Sequence, residues 1–134
     1  YDFNSDEIYC GDCVNKVATL NNTPIQVSKI SDKKNGVLIT GLPFNTDYSD
    51  ESLSNLIKDM QSWKKIRMIG SAAIANLFVA KGKADCYEEN GTFIWDVAAG
   101  AIIVEEAGGF ASLSEIKNDF RVNAKFTNGK VTQE

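Results

Sequence analysis

The chain has 134 residues, 43% of them hydrophobic, with a formal net charge of −4 at pH 7 and no histidine. This length and composition suit one domain with a core of its own. The acidic balance offers no basic surface for nucleic acid or anionic lipid, and no apolar run approaches the roughly 20 residues of a membrane span. No stretch resembles a signal peptide, so we expect a soluble cytoplasmic protein without nucleic-acid or membrane partners.

The cysteine and histidine content restricts the chemistry. Without histidine, serine–histidine or cysteine–histidine catalysis within this chain is excluded. Cys10 and Cys13 have the spacing of a redox pair or of half a zinc site, but Cys86 is the only other thiol. A four-cysteine zinc site is therefore impossible in one chain, and no long helix is predicted after Cys10 as a thioredoxin-type pair requires. We interpret Cys10 and Cys13 as structural thiols.

The first 36 residues are predicted to form short β-strands. The runs "DEIYCG" and "KVATLNNTPIQVSKI" are strand-like, and Asn21, Asn22 and Pro24 indicate turns between them. The polar segment "SDKKNG" at 31–36 ends in glycine and is the best candidate for a boundary in the chain. We therefore divide the sequence into residues 1–36 and 37–134.

Beyond residue 36, predicted strands and helices alternate. The strand "GVLITG" precedes a helix that begins behind Ser49 or Asp50, and the strand "KIRMIG" precedes a helix over "SAAIANLFVAKG" that Gly82 ends. The remaining predictions are a strand at 84–89, a helix from about Asp96 to Ala107, a strand "GFASL" and a hairpin turn at Asn128–Gly129. This alternation predicts an α/β fold with a parallel or mixed sheet covered by helices.

Acidic residues dominate the segment 84–116, which contains no lysine or arginine. Its seven carboxylates are Asp85, Glu88, Glu89, Asp96, Glu105, Glu106 and Glu115. Carboxylates crowded together repel each other, and a hard divalent cation such as Mg²⁺ would relieve that repulsion. The alternative is solvation, which we expect for Glu105, Glu106 and Glu115. Strand alternation directs Glu88 and Glu89 to opposite faces, so only one is expected in a cleft.

Two short motifs could carry chemistry. Asp96 stands at the predicted start of a helix, where it can accept hydrogen bonds from first-turn N–H groups, bind a metal ion, or do both. Its neighbour Trp95 is expected in the core. The "GSAA" turn at 70–73 exposes backbone N–H groups that suit an anion or hydroxyl oxygens, although close helix packing explains its alanines equally well.

The segment "RMIGSAAIANLFVAKGKADCYEENGTFIWDVAAGAIIVEEAGG", Arg67 to Gly109, closely resembles the C-terminal signature of the inositol monophosphatase family of metal-dependent, lithium-sensitive phosphatases. The characteristic features are W-D-x-A-A/G, an apolar helix, E-A-G-G, and a G-S/T-A-A helix start at a fixed distance. The resemblance implies the C-terminal part of a layered α/β/α/β/α sandwich. In it, residues 1–36 form the edge of an N-terminal antiparallel sheet and residues 37–134 a C-terminal α/β domain.

The resemblance also implies a function. It implies hydrolysis of a small phosphate monoester by metal-activated water, with inositol monophosphate as the first candidate substrate and a 3′(2′),5′-bisphosphate nucleotide or fructose 1,6-bisphosphate as alternatives. Asp96 matches a ligand for Mg²⁺, of which the complete enzyme holds two or three, and Li⁺ is expected to inhibit. Glu89 matches a carboxylate that binds a substrate hydroxyl. Gly70, Ser71 and Ala72 match a helix start whose backbone lies against the substrate, and the protein is expected to be a homodimer.

The sequence departs from the family in one respect. The other metal ligands lie in the family's N-terminal half, in a glutamate-bearing segment and a D-P-I/L-D-G-T motif, and neither is present. Asp47 and Asp50 have the D-x-x-D spacing without the following Gly-Thr. We therefore expect the C-terminal half of such an enzyme, inactive without the N-terminal half, and assign no catalytic residue with certainty here. The alternative from another class is a non-catalytic module that binds a phosphorylated small molecule or a partner chain.

Overall fold

A computed structural model describes residues 1–131 of the chain. Its strands are β1 Tyr9–Asp12, β2 Val17–Leu20, β3 Thr23–Pro24, β4 Val37–Thr40, β5 Lys65–Met68, β6 Cys86–Phe93, β7 Phe110–Leu113 and β8 Arg121–Thr127. Its α-helices are α1 Asp50–Gln61, α2 Ala72–Ala75, α3 Leu77–Ala80 and α4 Ile94–Glu106, and a 3-10 turn spans Lys33–Asn35. None of the helices in this part of the chain is long and apolar enough to cross a membrane.

Two sheets organise these elements. Strands β1, β2 and β3 form a small antiparallel sheet in that order. The second sheet has the order β5-β4-β6-β8-β7, with β4 parallel to β5 and β6, and β8 antiparallel to β6 and β7. The predicted α/β class with a mixed sheet is confirmed.

Helix α4 lies between the two sheets. It contacts β1 and β2 on one side and β6, β7 and β8 on the other, and it packs against α2 and α3. Val97, Ala101 and Val104 form its buried face. Fully burying a valine side chain contributes about 1.5–3 kcal/mol, so Val97 and Val104 help to hold the layers together.

The opposite face of the large sheet carries a smaller apolar cluster. Because side chains alternate along a strand, Ile39 and Tyr87 face the main core while Leu38 and Cys86 face the smaller cluster. Trp63, just after α1, completes that cluster. No residue of α1 itself is fully buried, so this helix is held less firmly than α4.

Several local predictions are confirmed and others are wrong. Ser49 caps α1, and its side chain accepts a hydrogen bond from the Ser52 N–H. The helix predicted over "SAAIANLFVAKG" is instead two short helices that meet at Asn76, and Gly82, at φ +69°, follows them. The strand-like run at 25–30 is not a strand, because its Val27 N–H donates to the Ala107 carbonyl at the end of α4 rather than to a neighbouring strand.

The turn at Asn128–Gly129 does not lead into a second strand within the described residues. The Asn128 side chain accepts hydrogen bonds from the N–H groups of Lys130 and Val131, which closes the turn on itself. Gly129 has φ +70°, a conformation that favours glycine. Any continuation of the predicted hairpin falls on residues 132–134, outside the described part of the chain.

Candidate functional site

A cleft of about 370 Å³ lies beyond the carboxyl ends of β4 and β5, where ligands bind in many α/β sheets. Its lining includes all five residues singled out from the sequence, Gly70, Ser71, Ala72, Glu89 and Asp96. The cleft also contains groups that the sequence did not single out, among them Thr40, Gly41, Phe44, Phe93 and Arg121.

Asp96 is the third residue of α4 rather than its cap. The helix begins two residues earlier than predicted, after Phe93, and has no side-chain cap hydrogen bond at that end. The capping role expected for Asp96 is therefore wrong. Its half-buried carboxylate lines the cleft close to the helix N-terminus, where the macrodipole favours negative charge.

The boundary between β6 and α4 differs from the prediction because β6 continues past Glu89, where it was predicted to end. The strand runs to Phe93 with a register shift between Asn90 and Thr92. Gly91, at φ +79°, occupies this bulge: its N–H donates to Asn123 Oδ1 (3.1 Å), and its carbonyl accepts from Arg121 Nη1 (2.5 Å). Side chains of β8 thus hold the link between the two cleft carboxylates.

Glu89 is held from two sides. The Tyr87 hydroxyl donates to its Oε2 at 2.9 Å, and a Cβ added at Gly41 would lie 2.8 Å from three atoms of its carboxyl group. Burial raises the pKa of Glu89, the Tyr87 hydrogen bond opposes that rise, and the charge of Asp96 adds to it. The two carboxylates are therefore electrostatically coupled within one cleft.

The other acidic residues of 84–116 do not share the cleft chemistry. Glu88 Oε2 lies 2.8 Å from Lys125 Nζ, and Glu106 Oε1 lies 3.7 Å from Lys16 Nζ. A bound cation is not needed at Glu88 or Glu106, because bases from distant parts of the chain reach them. The solvation expected for Glu106 is wrong, since only 12% of its side chain is exposed. Glu105 and Glu115 are exposed, as expected.

Asp85 belongs to a buried network away from the cleft. Its carboxylate accepts from the Val37 N–H at 2.7 Å and from the Ser28 hydroxyl, and Asn128 Nδ2 also donates to that hydroxyl. These bonds tie the segment before β4 to the ends of β6 and β8. A structural role accounts for this carboxylate.

The turn at 70–72 contributes backbone to the cleft. Gly70 has φ +80°, which explains the glycine, and nothing lies within 4 Å of a Cβ added there. Ser71 caps α2, where its Oγ accepts from the Ile74 N–H at 3.4 Å. The Ser71 hydroxyl keeps its own O–H donor free, so both this group and the peptide groups of the turn are available to the cleft.

Arg121 and the aromatic residues near it were missed from the sequence. Arg121 lies over the Phe93 ring, with 4.2 Å from its Cζ to the ring centroid. The Trp95 ring stacks on the same Phe93 ring, with 4.7 Å between the two centroids, yet Trp95 is 61% exposed. The core position expected for Trp95 is therefore wrong. No local pattern could have assigned Arg121, because β8 pairing alone brings it beside β6.

The residues present fit part of a magnesium site. Asp96 and Glu89 offer hard carboxylate oxygens of the kind Mg²⁺ prefers, and their mutual repulsion favours a cation between or beside them. Residues 1–131 contain no group of three or more Cys, Asp or Glu side chains arranged to hold a metal ion. The three cysteines are free, with Cys10 and Cys13 exposed and Cys86 buried.

Comparison with known proteins identifies relatives over nearly the whole chain. A sequence model described as the inositol monophosphatase family matches residues 6–127. An inositol-1-monophosphatase of Synechocystis is 38% identical over 122 residues, which are 87% of this chain and 42% of that protein. The Nus factor SuhB of Pasteurella multocida is 38% identical over 96 residues, 69% of this chain and 35% of that protein.

A solved structure shows the same fold. The inositol monophosphatase of Anabaena aligns with a TM-score of 0.82 and 34% identity, over 98% of this chain and 54% of the other. The chain thus spans about half the length of the relatives it matches. The cleft described above lies within the matched region.

Proposed function

The chain belongs to the inositol monophosphatase family, and we propose that the intact protein is a magnesium-dependent phosphatase acting on a small phosphate monoester, with inositol monophosphate the first candidate. One observation carries the proposal: the carboxylates Glu89 and Asp96 and the backbone turn 70–72 line one cleft. The cleft has two carboxylates and one arginine, Arg121, so a bound cation would reduce its repulsion of a phosphate, which supports the proposed metal requirement.

Each site residue has a proposed role. Asp96 is a magnesium ligand, and bound magnesium supplies charge neutralisation of the phosphate and an acidified water. Glu89, fixed by Tyr87, hydrogen-bonds a hydroxyl of the substrate. The peptide groups of Gly70, Ser71 and Ala72, which line the same cleft, contact the substrate.

One carboxylate cannot hold Mg²⁺ firmly against its hydration shell. We therefore propose that the remaining ligands come from an N-terminal half that also completes the sheet of β1–β3, and that residues 37–134 form the C-terminal domain. The 134-residue chain alone is then expected to lack phosphatase activity. A homodimer and a cytoplasmic location complete the proposal.

Two alternatives remain open. A bisphosphate nucleotide or fructose 1,6-bisphosphate would use the same chemistry with a different leaving group. A non-catalytic module would bind a phosphorylated small molecule or a partner chain without turnover. We predict from the net charge of −4 that nucleic acid is not a partner. The name Nus factor belongs to a relative and not to this chain.

The direct test is phosphate release by the intact protein from inositol 1-phosphate, 3′-phosphoadenosine 5′-phosphate and fructose 1,6-bisphosphate. We expect Mg²⁺-dependent turnover that Li⁺ inhibits, fastest with the inositol substrate. Faster turnover of another substrate selects that alternative. Binding without turnover by a protein whose mass includes an N-terminal half selects the non-catalytic module.

Two variants separate the proposed roles. Asp96→Asn should abolish turnover and leave the fold intact, because Asp96 is not the cap of α4. Glu89→Gln should raise KM for a hydroxylated substrate more than it lowers kcat. An unchanged kcat in Asp96→Asn would contradict the metal role, and a loss in Glu89→Gln as deep as in Asp96→Asn would contradict the division of roles.

A further inference from the structure

We infer that Asn76 is a positioning residue that fixes Asp96 relative to the turn at 70–72. Asn76 stands where α2 and α3 meet, and its side chain is fully buried. Its Nδ2 donates to the Ala72 carbonyl at 2.7 Å and to the Asp96 carbonyl at 3.2 Å. One amide group therefore joins two neighbouring backbone segments that both contribute residues to the cleft lining. The catalytic consequence of this link rests on the proposed phosphatase function.

The link matters because α2 and α3 have only four residues each. Helices of that length do not hold themselves together, since nucleation costs more than one or two backbone bonds return. The Ala72 carbonyl already accepts the Asn76 N–H at 3.2 Å, and the side chain adds a second bond to the same oxygen. The shape of this segment therefore depends on the contact with α4.

The other end of the Asn76 amide points to the same conclusion. Its Oδ1 is buried and has no hydrogen-bond partner within the described chain. A buried oxygen without a partner is unfavourable, so a residue needed only for packing would be better replaced by an apolar one. The amide is explained by its two donated bonds.

Gly100 makes room for this arrangement. It lies one turn after Asp96 in α4, and a Cβ added there would come within 1.9 Å of Asn76 Oδ1 and 2.5 Å of Cγ. No side-chain atom could occupy that position while the Asn76 amide stays in place. The missing side chain at Gly100 therefore leaves the space in which the Asn76 amide packs against the Asp96–Gly100 turn of α4.

We expect a small displacement of α4 to affect the cleft strongly. Asp96 is three residues into the helix, so movement of the first turn moves its carboxylate directly. Loss of a group that orients a metal ligand typically weakens metal affinity or activity by about 10- to 100-fold. Asn76 does not line the cleft, so its effect must pass through Asp96 and the 70–72 turn.

The test uses the intact protein with Asn76→Leu, which keeps the size of the side chain and removes both donors. Asn128→Leu is the control, because Asn128 is also a buried asparagine but lies in a network away from the cleft, where its Nδ2 donates to Ser28 Oγ (2.8 Å), the Ile30 carbonyl (2.7 Å) and Asp85 Oδ1 (3.4 Å). Its Oδ1 also accepts from the Lys130 and Val131 N–H groups, so the control removes more hydrogen bonds than Asn76→Leu. Three quantities are measured: amide hydrogen exchange without metal, Mg²⁺ affinity by calorimetry, and kcat with its Mg²⁺ dependence.

We expect Asn76→Leu to accelerate amide exchange at both 70–75 and 94–98 and to weaken Mg²⁺ binding by about ten-fold or more. The control should lose stability while its Mg²⁺ affinity stays at the wild-type value. A folded Asn76→Leu protein with wild-type exchange in both segments overturns the link itself. Wild-type Mg²⁺ affinity despite faster exchange overturns its positioning role. If wild-type protein neither binds Mg²⁺ nor hydrolyses phosphate esters, the proposed function fails while the exchange measurement still decides the link.

A second pair of variants guards against simple misfolding. Gly100→Ala should be destabilised because the new methyl group meets the Asn76 amide. Adding Asn76→Ala should remove that clash and restore stability relative to Gly100→Ala, without restoring Mg²⁺ affinity. Recovery of Mg²⁺ affinity together with stability would mean that packing alone, and not the two donated bonds, positions Asp96.

Discussion

Replacing Tyr87 with phenylalanine removes one hydroxyl group from the core and tests what holds Glu89 in its charged form. Tyr87 is fully buried and donates to Glu89 Oε2 at 2.9 Å. Its ring packs on Phe126, with 5.6 Å between centroids, and phenylalanine can keep that contact. The substitution therefore keeps the ring and removes only the hydrogen bonds of the hydroxyl group, to Glu89 and with Thr92.

The size of the effect follows from the charge of the acceptor. A hydrogen bond to an ionised group contributes about 1.5–3 kcal/mol, and one between neutral groups about 0.5–1.5 kcal/mol. Burial already raises the pKa of Glu89 and the Tyr87 bond lowers it, so removing the bond should raise that pKa further. The loss of unfolding free energy is then greatest above the folded-state pKa of Glu89 and shrinks as the pH falls through it.

The direction of this pH dependence agrees with proton linkage. A carboxyl group whose folded pKa exceeds its unfolded pKa binds more protons in the folded state, so its burial costs stability at high pH and less at low pH. Tyr87→Phe enlarges that cost. The assay is urea unfolding of wild type and variant at about pH 8 and at the lowest pH where both remain folded, with the Glu89 titration followed by NMR.

Glu89→Gln provides the matched background, because a neutral amide does not titrate. In that background the effect of Tyr87→Phe should be independent of pH. A loss that is equal at both pH values in the presence of Glu89, or a Glu89 pKa that falls in the variant, would refute the reasoning.

Three further predictions concern the cleft, the core and the thiols. Gly41→Ala should cost about 1–3 kcal/mol of unfolding free energy in urea, because the new methyl group displaces the Glu89 carboxyl group from its bond with Tyr87, and it should raise KM for a hydroxylated substrate. Unchanged stability together with unchanged KM would contradict this. Phe126→Ala should cost about 3–5 kcal/mol by urea unfolding, since the ring is fully buried, and a loss below about 1 kcal/mol would place it outside the core. Burial raises the pKa of Cys86 to about 12, whereas Cys10 and Cys13 are exposed. Iodoacetamide at neutral pH should therefore alkylate Cys10 and Cys13 in the native protein and Cys86 only after unfolding, as read by mass spectrometry. Modification of Cys86 in the native protein would argue against its burial.

Local sequence patterns predict the features that depend on a few consecutive residues. Alternation of apolar strands and helices predicted the α/β class, and Ser49 predicted the start of α1. The W-D and E-A-G-G motifs with the "GSAA" turn identified the family and the residues that line the cleft. Such signals depend on local periodicity, capping and spacing, which a single chain displays without its partners.

The boundary between β6 and α4 depends on contacts between distant segments of the chain. The "NGTFIWD" stretch carries both strand and helix signals, and the helix was predicted to start at Asp96 rather than at Ile94. Side chains from β8, some 30 residues away, hold both polar groups of Gly91 and so extend the strand. Long-range hydrogen bonds therefore overrode a strong local preference for aspartate as a cap.

Long-range contacts also explain which of the other sequence predictions are confirmed and which are wrong. Whether a carboxylate needs a cation depends on which bases the fold brings near, and Lys125 and Lys16 reach the acidic segment only through sheet pairing and helix packing. Asn76 meets Asp96 only because the junction of α2 and α3 packs against α4 beside Gly100. Residue types and spacing indicate which groups can carry chemistry, whereas contacts between distant segments decide which of them share a site and which are neutralised elsewhere.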